Sequence, residues 1–208
     1  KDNNVAVVAL ALVLILAILA IFAPFISPQN PYDLANLSLL DSRRPPGFIG
    51  TGGYKHLLGT DPQGRDLLSA IIYGLRISIQ IGLAAGFVSL TIGTSLGILA
   101  AYVGGKVEVF IMRLVDLQLS FPAILLALVI VALLGQGKFQ LISALVAAQY
   151  AYFARTAYGA AKAERGKDYI EAAIATPLSN RLIILRHLLP NCTPPLIVVA
   201  TVQIANSI

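Results

Sequence analysis

Val5 to Ala23 reads VAVVALALVLILAILAIFA, 19 residues without a charge or a strongly polar side chain. At roughly 1.5 Å per residue, a helix of that length just crosses the hydrocarbon core of a bilayer. Lys1 before the run and small residues at its end would also fit a cleaved signal peptide, but the run is longer than a usual signal core. The stretch therefore predicts a first spanning helix, and the rest of the chain repeats its pattern.

Of the 208 residues, 57% are hydrophobic and 12% are charged, and the mean hydropathy is +0.81. A soluble domain carries roughly 25% charged residues. No soluble fold could hide this much apolar surface, so the length counts spans rather than globules. The net charge is +5, yet the basic residues fall between apolar runs, where they set orientation in a membrane rather than bind nucleic acid. Cys192 is the single cysteine, which excludes an internal disulfide and reads as a small buried side chain.

Ser27 to Arg76 is rich in Pro, Gly and Asp, including Pro45-Pro46-Gly47 and Gly50 to Gly53, and reads as an extramembrane connector. A second span is expected from about Ile77 to Val103, with Gly82, Gly86, Gly93 and Gly97 on one face for close helix packing; a role in the substrate path is the alternative. Gly104-Gly105-Lys106 is a tight connector to a third span, from about Val109 to Leu134, with Pro122 inside it. This span carries Arg113 and Asp116 three residues apart, which are expected to pair with each other near the interface; gating or partner contact is the alternative. A fourth span runs from about Phe139 to Ala157, and a fifth begins near Pro194 and is still apolar at Ile208. The chain is thus expected to start at a trimmed N-terminus and to stop inside a helix.

Between the last two spans, Arg155 to Asn191 carries six basic residues, Arg155, Lys162, Arg165, Lys167, Arg181 and Arg186, which argue for a cytoplasmic loop. Four crossings precede it, so the N-terminus would also be cytoplasmic and the long connector outside. Nine of the fifteen basic residues then lie inside and six outside, a modest bias in the expected direction.

This loop reads Asp168-Tyr169-Ile170-Glu171-Ala172-Ala173-Ile174-Ala175-Thr176-Pro177, and later Arg186-His187-Leu188-Leu189-Pro190-Asn191. It resembles the cytoplasmic loop of binding-protein-dependent ABC importer permeases, whose pattern is Glu-Ala-Ala, a Gly four residues on, and a later Leu-Pro. The connector adds Gly59-Thr60-Asp61-Pro62-Gln63-Gly64-Arg65-Asp66 and then Ile72-Tyr73-Gly74-Leu75-Arg76-Ile77-Ser78. That pair of segments resembles the start of the permease core in the dipeptide, oligopeptide and nickel subfamily, and specifically its C-type permease.

The resemblance implies an all-α, polytopic helical membrane protein with the type I ABC importer permease fold, with about five spans present and the sixth missing. It implies three parts: an N-terminal transmembrane helix over residues 1–26, a periplasmic connector over 27–76, and a permease core over 77–208 with a coupling loop at 159–191. The chain would be a multi-pass subunit of the bacterial inner membrane that forms half of a translocation pathway, for peptides, or alternatively for nickel or another small solute. Its partners would be a second permease subunit in a heterodimer, two cytoplasmic ATP-binding subunits and a periplasmic substrate-binding protein, with no nucleic acid. The coupling residues carried over are Tyr169, Glu171, Ala172, Ala173, Pro177, Leu189 and Pro190, with Ala172, Ala173 and Ala175 offering a small, approachable face and Glu171 a charge. For the connector motif of Gly59, Thr60, Asp61, Gly64, Arg65 and Asp66, turn formation, capping and ion pairing are expected, with contact to substrate or binding protein as the alternative.

One position departs from the pattern: Pro177 stands where the motif has Gly. Proline fixes φ and bars the preceding residue from the helical region, so the helix carrying Glu171 should end at or before Thr176.

No enzyme is expected. Gly135-Gln136-Gly137-Lys138 lacks the upstream Gly and the following Ser or Thr of a phosphate loop, so any ATP is used by a partner and this chain binds no cofactor. His56 and His187 are the only histidines, without Cys or acidic neighbours at metal-ligand spacing, and no metal site is expected. The rival readings are a secondary transporter fragment, which would place ionisable groups at mid-membrane, and a membrane anchor or enzyme.

Overall fold

The computed structural model describes residues 4–33, 35 and 37–208, so Lys1 lies outside the described residues. The chain divides into two compact units, residues 1–80 and 81–208.

The first unit opens with α1 (Asn4–Ile21), which exposes apolar side chains all round and buries only Ala20. A helix apolar on every face is what lipid contact requires. Pro24 then starts the short α2 (Ala23–Ile26). The connector is not wholly irregular. A 3-10 turn forms at Leu39–Asp41, and β1 (Phe48–Ile49) pairs antiparallel with β2 (Lys55–His56), with Phe48 opposite His56.

The connector also ends earlier than its polarity suggests, because α3 runs from Leu67 to Val103 rather than from Ile77. At 37 residues it is about 55 Å long, well beyond the hydrocarbon thickness, so its first turns can carry Arg76 outside the apolar layer.

In the second unit the expected third span is two helices, α4 (Gly105–Leu119) and α5 (Ala123–Leu134), bent by 91° where they meet. Pro122, expected inside a helix, is the residue just before α5. Its ring and missing N–H end α4 instead of merely kinking a continuous span. Gly104 takes φ 71° between α3 and α4, the left-handed conformation glycine allows freely.

The expected fourth span is α6 (Lys138–Arg165), which is longer than expected and absorbs Arg155, Lys162, Glu164 and Arg165 from the expected loop. It buries alanines 144, 148, 151, 154, 157 and 161, a small-residue stripe at helical spacing. Then come α7 (Asp168–Ala175), α8 (Asn180–Ile183), a π-helical turn (Ile184–Leu188) and α9 (Leu189–Ser207). Helix therefore begins well before Pro194, and Pro194 and Pro195 lie inside α9.

By length and composition, α1, α3 and the helical run 180–207 can each cross a membrane, and the bent pair α4–α5 makes a fourth. The expected fourth span, α6, has the length, but Gln140, Gln149, Tyr150 and Tyr152 dilute its apolar character. It lies against α4, α5 and α9, and the fold buries Gln149 and half-buries Gln140 and Tyr150. One core cluster joins Ile98 and Ala101 of α3 to Phe153, Ala157 and Ala161 of α6, Ile170 of α7, and Leu188, Cys192 and Leu196. A second joins Ala100, the α4 residues Ile111, Met112 and Val115, and Ala151 and Ala154. The α3–α6 approach is close enough that a Cβ on Gly93 would lie 2.3 Å from the Tyr150 carbonyl oxygen, while Gly82 and Gly86 face Ile208 and Ile204. All four glycines thus serve helix packing.

Candidate functional site

The loop between α6 and α9 is built from two short helices. Lys167 in extended backbone precedes α7, and Asp168 and Glu171 occupy its first turn, where the helix dipole favours negative charge. Ile170 and Ala173 form the inner face, and Ala173 is only 8% exposed. Glu171, Ala172, Ile174 and Ala175 face outward. The expected three-alanine docking surface is therefore two alanines, because helical spacing from Ile170 turns Ala173 toward the chain's own core. The α7 helix ends at Ala175, as the following proline requires. Thr176 is extended at φ −89°, ψ 160°, the Leu178 amide donates to the Thr176 carbonyl at 2.7 Å, and the Ser179 hydroxyl accepts from the Leu182 amide at 3.4 Å to start α8.

Both ends of this loop are tied to the long helices. The Tyr169 hydroxyl donates to Glu164 of α6 and accepts from Asn191 Nδ2 of α9 at 3.0 Å. Partial burial, with the hydrogen bond to Glu164 and its negative charge, pushes the Tyr169 phenol up to about 12. The Glu164 carboxyl moves the other way, held below its ordinary range by hydrogen bonds from Lys167 and Tyr169 and by the Lys167 charge. At the other end, the Tyr102 hydroxyl of α3 donates to Asn180 Oδ1 at 2.8 Å. Leu189 and Pro190 open α9 just after the π turn; Leu189 packs partly against the core and Pro190 is exposed. A wider π turn accommodates the donor that proline lacks.

The connector motif folds into a bonded loop. Gly59 and Gly64 take φ 81° and 78°, and a Cβ on either would strike backbone, the Arg44 carbonyl oxygen at 2.5 Å and the Ser38 carbonyl oxygen at 2.1 Å. Only glycine fits both demands. The Thr60 hydroxyl donates to the Asp41 carbonyl and accepts from the Arg44 amide at 2.8 Å. Asp61 accepts from the amides of Gln63 and Arg65 and, at 2.7 Å, from the Arg65 guanidinium. Burial pushes its carboxyl up, but these bonds and the Arg65 charge outweigh that and hold it below the usual carboxylate range. Asp66 caps α3: its Oδ2 accepts from the Ser69 amide and hydroxyl, both at 2.7 Å, while its Oδ1 meets His56 Nδ1 at 3.0 Å. His56 is 1% exposed, and nothing in its sequence neighbourhood signals that buried pairing.

Arg113 and Asp116 do not pair. Asp116 Oδ1 meets Arg155 Nη1 of α6 at 2.9 Å, and Arg113 makes no ion pair within 4.0 Å among the described residues. Two helical turns away, Glu108 accepts from Lys162 Nζ at 2.7 and 2.8 Å and from the Tyr158 hydroxyl at 2.5 Å. The two sites fasten antiparallel α4 and α6, so the neighbouring helix outcompetes the local i,i+3 partner.

Residues 93–208 match the family described as binding-protein-dependent transport system inner membrane component. The chain belongs to this family. Residues 1–46 also match the N-terminal TM domain of oligopeptide transport permease C. The permease is 36% identical over 208 residues to the dipeptide transport system permease protein DppC of Haemophilus influenzae, covering 100% of this chain and 70% of that one. It is 36% identical over 206 residues to the di/tripeptide transport system permease protein DppC of Pseudomonas aeruginosa, covering 99% and 67%. With the oligopeptide transport system permease protein OppC of Haemophilus influenzae it shares 34% over 206 residues, covering 99% and 64%. The permease thus spans about two thirds of the length of these relatives.

The two-helix loop leaves Ile174, Leu178, Leu182 and Leu185 exposed beside Glu171, Arg181 and Arg186. Tyr102, Arg155, Asn180 and Asn191 escape sequence reasoning because their partners lie on other elements.

Proposed function

We propose that this chain is one permease half of an ATP-driven importer of short peptides, and that the loop from Asp168 to Leu188 docks a cytoplasmic ATP-binding subunit. The observation that carries the reading is the loop itself. Two short helices present Glu171, Ala172 and Ala175 together with exposed apolar side chains, while Ile170, Ala173, Ile183 and Leu188 anchor them from below. Apolar residues rimmed by charges suit a protein partner better than water. The peptide substrate is supported by the names of the relatives, and the nickel reading has no observation in its favour. The remaining partners are a second permease subunit that completes the pathway, a second ATP-binding subunit and a periplasmic binding protein. This chain binds no cofactor of its own in the reading, and the ATP is used by the partner. The loop and the N-terminus are assigned to the cytoplasm. In support, Tyr102 at the end of α3 contacts Asn180, so that end of α3 and the loop share one side.

Glu171→Lys tests the docking. Its carboxylate makes no side-chain bond among the described residues, so charge reversal costs the fold only a weak helix-dipole interaction and is expected to reduce co-purification of the ATPase and peptide uptake together. Undiminished assembly and uptake would overturn the proposal.

A further inference from the structure

The docking segment is suspended between two tyrosine hydroxyls, and among the described residues no hydrogen bond ties its middle to a long helix. From Glu171 to Ser179, the hydrogen bonds among the described residues are local: the Thr176 hydroxyl to the Ala173 carbonyl at 2.8 Å, and the turn bonds around Pro177. Before this stretch, Tyr169 joins α7 to Glu164 of α6 and Asn191 of α9. After it, Asn180 joins α8 to Tyr102 of α3. Tyr102 is itself a junction. The Arg165 guanidinium of α6 lies 5.8 Å from its ring centroid, and Arg165 Nη1 donates to the neighbouring Ala101 carbonyl at 2.9 Å. One aromatic ring thus holds the ends of α3 and α6 together through its face and the start of α8 through its hydroxyl.

We infer that Tyr102 is a positioning residue for energy coupling: through Asn180 it makes α3 follow the loop when a partner moves the loop. The inference rests on the reading that the loop docks an ATPase. Its physical content is mechanical. An apolar contact lets helices slide, whereas a directed hydrogen bond fixes one element's end against another. The Tyr169 bonds transmit a push to α6 and α9, and the Tyr102 bond is the only side-chain hydrogen bond among the described residues between α8 and α3. With it cut, the ATPase would still dock and hydrolyse ATP, but α3 would lag.

The test uses the whole importer in proteoliposomes with its binding protein and a dipeptide, and reads ATP hydrolysed per peptide imported. Tyr102→Phe removes the hydroxyl and keeps the ring that Arg165 faces. Asn180→Ala removes the other side of the bond. Each is expected to raise the ratio roughly three- to tenfold, the range one hydrogen bond can bias, with assembly unchanged. The double variant should be no worse than either single one, because both cut the same bond. An unchanged ratio, or additive effects, overturns the inference while leaving the function intact. Loss of assembly in both variants assigns the tyrosine to folding and overturns it as well. A wild-type complex without ATP-driven uptake would instead overturn the function on which it rests.

Discussion

Adding one methyl group at Gly97 should destabilise the permease, whereas adding the same group at Gly159 should not. A Cβ on Gly97 would stand 2.3 Å from the Ala154 carbonyl oxygen, 2.8 Å from Ala157 Cβ and 2.8 Å from the Tyr158 amide nitrogen. Two of these are backbone atoms of α6, so no rotamer change relieves the clash, and ordinary contact near 3.4 Å is restored only if α3 and α6 part by about 1 Å. A gap of that size forfeits roughly a quarter to half of the dispersion energy of the contacts it opens. Those contacts belong to the core that Ile98 and Ala101 share with Phe153, Ala157 and Ala161. Overpacking of this kind costs about 1–3 kcal/mol, and two backbone clashes place Gly97→Ala at the upper end. Alanine's better helix propensity returns up to about 1 kcal/mol, for a net loss near 2 kcal/mol. At Gly159, also helical, nothing lies within 4 Å of the added atom, so only the propensity gain remains. For a chain of this size about 1 kcal/mol moves Tm by roughly 2–4 °C. The solubilised complex, melted and followed by fluorescence-detected size exclusion, should therefore lose about 4–8 °C with Gly97→Ala and lose nothing with Gly159→Ala. Equal melting of the two variants would refute the backbone-contact account of α3–α6 packing.

Three further outcomes follow from the described geometry. Asp66→Ala removes the cap of α3 and strands buried His56, at about 1 kcal/mol for the cap and roughly 1–3 kcal/mol for the orphaned imidazole; hydrogen exchange at Leu67 to Ala70 should quicken, and wild-type protection would contradict the capping. Asp116→Asn and Arg155→Gln should show a coupling of up to about 1 kcal/mol in a double-mutant cycle, as half-exposed pairs do, while Asp116→Asn with Arg113→Gln should show none; the reverse would restore the local pair. The Asp61 carboxyl is held low in the folded chain, so the stability it contributes is present above the ordinary carboxylate range near 3.9 and is lost as pH falls through the depressed folded value. Amide exchange at Gly64 and Arg65 should accordingly rise on acidification below about pH 4, and Asp61→Asn should lack that step; an identical acid response in the variant would exclude Asp61 as its source.

The sequence carried the elements whose cause is local. The apolar run of α1, the stop before Pro177 and the small-residue faces at Gly93 and Gly97 depend on residues within a turn or two, and each appears where its chemistry predicts. The start of α3 was hidden because hydropathy marks where lipid begins, not where helix begins; the cap at Asp66 lies eleven residues before the uncharged run. The bend at Pro122 was hidden for the opposite reason, since the apolar residues on either side look continuous while the backbone is not. Partner choice was out of reach altogether. Asp116 selects Arg155 across a helix interface over Arg113 on its own helix, and Tyr102 meets Asn180 across 78 positions. Ala173 was within reach: Ile170 three residues earlier already marks the inner face of α7.

Pro177 bears on how the loop works. A glycine in a turn is needed when the backbone must take positive φ, and its loss is then costly. Here Arg43 is the only non-glycine residue with positive φ among the described residues, so the turn after α7 is made of ordinary conformations. Thr176 is extended, as a residue before proline prefers, and the Leu178 amide closes the turn onto the Thr176 carbonyl. Proline therefore fits without strain, and its fixed φ removes freedom that glycine would keep. If the loop docks an ATPase as proposed, the stretch from Glu171 to Ser179 is the part that would carry a push from the docked face to the tied ends at Tyr169 and Asn180. A stiffer segment loses less of that displacement, so in the proposed docking the residue that breaks the motif favours transmission rather than weakening it.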